Sequence, residues 1–148
     1  MTLKEQLDTA MKEAMRAKDA LRLSAIRMAK TAITNKEKES GAAVDDQTVI
    51  GVLSTLAKQR RESAQAYRDG DRPEMAEKEE QELAVLLAFL PAQLGADELR
   101  ALVAETAAAI GAASMKDMGR LMKELTEKTR GRADGKLVSE LVKLQLQG

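Results

Sequence analysis

The sequence predicts an all-α protein, with an N-terminal four-helix domain over residues 1–91 and a small three-helix C-terminal domain over residues 95–148. Three observations carry that expectation. Apolar residues recur at spacings of three and four along most of the chain, and no segment alternates with period two. β-branched residues are few, which disfavours strands. Only nine Gly and two Pro occur among 148 residues, and they cluster at a few breaks between long uninterrupted stretches.

The elements follow in order. Thr2-Leu-Lys-Glu5 is a capping box that opens a first helix with Leu3, Leu7, Met11, Ala14 and Met15 on one stripe. Asp19 can cap a second, on which Leu21, Ala25, Met28, Ala32 and Ile33 share a face. A polar loop from Lys36 to Gly41 ends it, and Asp45 or Asp46 can cap a third helix carrying Val49, Val52, Leu53, Leu56, Ala64 and Tyr67. Asp69-Gly-Asp-Arg-Pro-Glu74 is a helix-to-helix turn, with Gly70 suited to the left-handed stop and Asp71 with Glu74 forming another capping box. The fourth helix carries Met75, Leu83, Leu86, Leu87 and Leu90 and ends at Pro91. Beyond the boundary at Pro91–Gly95 come three shorter helices. The first holds Leu99, Leu102, Val103 and Ile110; the second, from the box Ser114-Met-Lys-Asp117, holds Met115, Met118, Met122 and Leu125. The third holds Leu137, Val138, Leu141 and Leu144.

Composition excludes whole classes of chemistry. Without Cys and His there is no disulfide, no thiolate nucleophile, no imidazole base and no His or Cys zinc site. Without Trp, and with Tyr67 and Phe89 as the only aromatic residues, a row of stacking platforms for single-stranded nucleic acid is excluded. No catalytic residue, metal site or cofactor is expected. The N-terminus reads as a helix start rather than a signal peptide, and the longest apolar run, Leu83 to Leu90, is far too short for a membrane span; a cytoplasmic protein is the expectation.

The 24 basic and 24 acidic residues cancel, but unevenly along the chain. Residues 1–40 carry nine basic and six acidic, residues 41–90 six and ten, and residues 91–148 nine and eight. The sharpest basic cluster lies in the last segment. Lys116, Arg120 and Lys123 recur at spacings of four and three and share one face of the sixth helix, Lys128, Arg130 and Arg132 sit in the turn that follows, and Lys136 belongs to the same basic set. These residues are the candidate phosphate-contacting patch. The competing account is a solvated face laced with Asp117, Glu124, Glu127 and Asp134. A second cluster, Lys58, Arg60 and Arg61, is another candidate nucleic-acid contact. There Arg60 falls in register with the apolar stripe and a structural role competes with binding.

The acidic run Glu77, Glu79, Glu80 and Glu82 reads as a solvated helix surface with ordinary spaced pairs, since no second carboxylate cluster supports a metal. Gly131-Arg-Ala-Asp-Gly135 invites a phosphate-loop reading but lacks the nucleotide-binding pattern and a preceding strand. The plainer account is that Gly131 stops one helix and Asp134 caps the next. Gly119 inside the sixth helix costs about 1 kcal/mol against Ala, which a close helix contact would explain. The methionines at 115, 118 and 122 read as core filling.

Taken in order, Lys58-Gln-Arg-Arg-Glu-Ser63 with Ala66-Tyr67, Glu77-Lys-Glu-Glu80, Phe89-Leu-Pro-Ala-Gln-Leu94, Met115-Lys-Asp-Met-Gly-Arg-Leu-Met122 and Gly131-Arg-Ala-Asp-Gly-Lys-Leu-Val138 resemble the GatB/YqeY family. The resemblance runs nearly end to end and is nearest to the free-standing YqeY-like proteins. It implies a fold similar to the C-terminal helical and tail domains of GatB, a subunit of the glutamine-dependent amidotransferase that amidates misacylated tRNA. There the tail helps to hold tRNA, while a large N-terminal domain, which has no counterpart here, carries the ATP-dependent chemistry. A carbon–nitrogen ligase label would therefore rest on relationship alone. Gly95 departs from the Ser or Thr expected at the fifth helix start and puts only that cap in question.

Three functions follow as expectations. The first is a non-catalytic helical module of translation that binds tRNA, or a tRNA-processing assembly, through basic helix surfaces; recognition of folded RNA by shape does not require aromatic platforms. The second is an accessory component of amide transfer, acting with amidotransferase or tRNA synthetase subunits. The third is a protein-interaction adaptor with no RNA.

Overall fold

Thr2 starts the first helix by the local route its sequence provides: its Oγ1 accepts the Glu5 N–H at 3.2 Å. In the computed structural model, which describes residues 1–147, this helix is α1 (Leu3–Arg16). Gly148, the last residue of the expected C-terminal domain, lies outside the described residues. There follow α2 (Ala20–Ser40), α3 (Asp46–Asp69), α4 (Pro73–Leu87), α5 (Ala96–Ile110), a short 3₁₀ turn (Met115–Asp117), α6 (Met118–Thr129) and α7 (Gly135–Gln147). The protein is all-α, with no strand among the described residues. The chain divides into two compact units, one spanning Met1–Pro91 and the other beginning at Ala92.

In the first unit Leu7, Ile26, Val49 and Leu53 are fully buried, and Ala29, Ile33 and Leu86 join them in one core. Asp19 caps α2 by accepting the Arg22 N–H at 3.1 Å. Of the two candidate caps for α3, Asp45 does the work, accepting the Thr48 N–H at 2.9 Å. Asp46 instead accepts the Leu3 N–H at 3.0 Å, tying the start of α1 to the start of α3. Glu37 on α2 holds the same corner, accepting Lys4 Nζ at 2.7 Å and the Val44 N–H at 3.2 Å.

Two local expectations change. In the turn before α4, Gly70 keeps φ −87° and Asp71 takes the left-handed conformation at φ +58°. The Arg72 N–H bonds to the Tyr67 carbonyl at 2.7 Å and the Asp71 N–H to the Arg68 carbonyl at 3.1 Å, so Asp71 occupies the place where a helix stop usually has Gly. A Cβ at Gly70 would make a tight contact, 3.3 Å from the Ala66 carbonyl oxygen. The Asp71–Glu74 box consequently falls one residue out of frame, and Arg72 caps α4 without a side-chain bond. On α2 the buried face is Ala25, Ile26, Ala29 and Ile33, while Met28 is exposed. Both stripes have helical spacing, and the alanines at 25 and 29 let the core side chains approach on the rotated face.

The second unit packs Leu99, Val103 and Ala107 of α5 against Leu121 and Leu125 of α6 and Val138, Val142 and Leu146 of α7. On α7 the core face is again rotated from the expected stripe, leaving Leu144 66% exposed. Met118 and Met122 pack against this core, whereas Met115 is exposed. Gly95 cannot cap α5 with a side chain, but Glu98 reaches back to the Gly95 N–H at 3.2 Å, so half of the capping box survives. The segment before α5 is fastened to the α6–α7 turn: Gln93 Nε2 donates to the Gly131 carbonyl at 2.7 Å and the Leu94 N–H to the Arg132 carbonyl at 2.9 Å.

Candidate nucleic-acid interface

The entry to α6 is organised by one carboxylate. Asp117 accepts the Ala113 N–H at 2.9 Å and the Ser114 N–H at 3.3 Å. Those amides, with the Arg120 guanidinium at 3.1 Å, hold its carboxyl below the ordinary Asp value. The helix then turns Leu121 and Leu125 inward and Arg120 and Lys123 outward, while Lys116, expected on the same helix, lies in the 3₁₀ turn just before it. Lys116 and Lys123 are exposed and have no carboxylate partner among the described residues. Glu124 and Glu127 share that face at helical spacing.

The rest of the cluster is divided. Arg130, at the end of α6, and Lys136, at the start of α7, are exposed and unpaired among the described residues. Lys128 turns toward α5, where its Nζ lies 3.3 Å from Thr106 Oγ1. Arg132 donates from Nε to the Ala92 carbonyl at 3.3 Å, joining the fastening of residues 92–94. Sequence spacing had no means of separating these two, because their partners are 22 and 40 residues away. Lys143 on α7 is a further exposed cation that the sequence reading passed over, because no basic neighbour marks it.

The glycine-flanked turn between α6 and α7 is a helix stop and restart. Gly131 has φ +73°, and the Arg132 and Ala133 N–H groups donate to the Thr129 carbonyl at 2.8 and 3.2 Å. Asp134 accepts the Lys136 N–H at 3.3 Å. These three amides have acceptors within the turn and are not free for a phosphate.

The second cluster, in the first unit, is divided by burial and pairing. Lys58 is exposed and Arg61 half-buried, but Arg60 points into the α3–α4 packing. Its Nη1 donates to Glu79 Oε2 at 2.9 Å and to Glu82 Oε2 at 3.1 Å, with the Arg60 side chain only 17% exposed. The acidic run is correspondingly not a plain solvated surface. Glu82 is buried, Glu79 half-buried, and Glu80 receives a two-pronged bond from Arg68 at 2.7–2.9 Å. Among the described residues no three Asp or Glu side chains are grouped to hold a metal ion.

The comparison with known families bears on the whole chain. The model of the family described as "Yqey-like protein" matches residues 4–146. The chain belongs to the YqeY-like family. This family is related to the C-terminal region of GatB, as the motifs around Arg60, Gly119 and Gly131 suggest. Among curated proteins, the YqeY-like chain is 38% identical over 81 residues to "Altered inheritance of mitochondria protein 41, mitochondrial" of Vanderwaltozyma polyspora. That alignment covers 54% of this chain and 44% of the relative's length. No helix among the described residues is long and apolar enough to cross a membrane.

Proposed function

We propose that this YqeY-like protein is a non-catalytic helical module that binds tRNA, or a tRNA-processing assembly, through the basic surface of its second unit. The observation that carries the reading is the set of exposed cations left without carboxylate partners at Lys116, Lys123, Arg130 and Lys136, in a family related to the GatB C-terminal region. Arg120 contributes in part, because its pair with Asp117 is exposed and such pairs exchange readily with a phosphate. Lys128, Arg132, Lys58 and Arg61 stand at the margin of this reading, and Arg60 has its own partners. The place of action is the cytoplasm in this reading, although the curated relative is named as mitochondrial.

Labelled tRNA titrated at several salt concentrations tests it. Binding is expected to weaken linearly on a log–log salt plot. Absence of binding at low salt, or affinity indifferent to salt, would refute it. Relationship to GatB favours a second reading, an accessory role in amide transfer. The isolated protein given glutamine, ATP and mischarged tRNA is expected to show no turnover, while capture of amidotransferase or synthetase subunits would favour the accessory role.

A further inference from the structure

Gly119 has no reason within the molecule to be glycine. It lies in the first turn of α6, its φ is not positive, and a Cβ built on it meets nothing within 4 Å. The close helix contact that would explain it is therefore absent among the described residues, while alanine is the better helix former. Its surroundings are specific. Lys116 lies three residues before it in the adjoining 3₁₀ turn, and helical spacing sets Lys123 one turn after it; both are exposed and unpaired among the described residues. Bare main chain thus lies between two ammonium groups on the outward face.

A missing side chain on an exposed face admits a surface that must come close to the helix backbone. Lys116 and Lys123, the cations nearest Gly119, select an anionic one although Glu124 and Glu127 lie further along α6, and the seven residues from one lysine to the other rise about 10–14 Å, more than a single small anion spans. A sugar–phosphate strand meets both demands. We infer that Gly119 is the point of closest approach of an RNA backbone to α6, with phosphates held by Lys116 and Lys123 and the intervening sugar resting on the uncovered helix. This rests on the RNA-binding reading above and adds to it a contact that acts by shape, at a residue bearing no charge. Any side chain at 119 holds the strand away from both lysines.

The test separates shape from folding. Gly119→Ala and Gly119→Gln retain the net charge, and both residues are better helix formers than glycine. Both variants should melt at or above the wild-type temperature yet bind unfractionated tRNA more weakly in the order Gly, Ala, Gln, with Gln down roughly tenfold. Wild-type binding with undiminished affinity in Gly119→Gln would overturn the inference and leave the RNA-binding reading intact. Failure of the wild-type protein to bind tRNA at low salt would overturn both.

Discussion

Replacing Arg60 by Ala removes the cation that holds two carboxylates of α4, and the consequence should appear in stability rather than in binding. Arg60 Nη1 lies 2.9 Å from Glu79 and 3.1 Å from Glu82, whose side chains are 15% and 9% exposed. Deleting one partner of a buried pair leaves the other charge without compensation, at about 3–5 kcal/mol. Because the Arg60 side chain keeps some exposure, the low end applies, about 3 kcal/mol. The triple variant Arg60→Met/Glu79→Gln/Glu82→Leu removes the cation and both carboxylate charges at similar volume, so it should recover to within about 1 kcal/mol of wild type. Urea unfolding read by tyrosine emission isolates the effect, since Tyr67, the sole tyrosine, lies on α3 of the first unit and there is no Trp. With a slope of about 1–3 kcal/mol/M, the Arg60→Ala midpoint should fall by about 1–3 M. An unchanged midpoint accompanied by weaker tRNA binding would refute the reasoning and return Arg60 to the set of binding residues.

Three more outcomes follow from the geometry. Replacing Lys116, Lys123, Arg130 and Lys136 together by Ala should weaken tRNA binding and reduce the steepness of its salt dependence by roughly three, measured by titration across salt concentrations. Lys18 ends α1 at φ +56°, with the Asp19 N–H bonded to the Ala14 carbonyl, so Lys18→Gly should raise stability by about 1 kcal/mol in thermal melts. Stability should be nearly flat from about pH 5 to 8, because no His or Cys is present. It should fall below about pH 4. There the Lys4 ammonium and Val44 N–H hold Glu37 below its ordinary value, the Thr48 N–H does so for Asp45, and the Ala113 and Ser114 amides for Asp117. A carboxyl with a lowered folded value contributes stability that is present above the unfolded value and lost as pH drops through the folded one.

The legible features were those whose partners lie close in sequence. Thr2, Asp19 and Asp45 each cap through a bond to an amide three residues on. Arg60 resisted the same treatment. Its carboxylates lie 19 and 22 residues away across the α3–α4 turn, so only its register with Leu56 and Ala64 hinted at the buried role. Asp46, bonded 43 residues back to Leu3, and Arg132, bonded 40 residues back to Ala92, belong to the same class. Periodicity likewise marks an apolar arc without saying which part of it meets a neighbour, which is why Met28 and Leu144 emerged exposed.

Distant partners also decide which cations remain available to a ligand. Net charge counts Arg60, Arg68 and Lys116 alike, but Arg60 and Arg68 answer carboxylates on α4, whereas Lys116 answers none among the described residues. Those pairs, with Glu79, Glu82 and Glu80, lie wholly within the first unit. Under the RNA-binding proposal, the salt dependence of binding should follow the unpaired cations rather than the net charge.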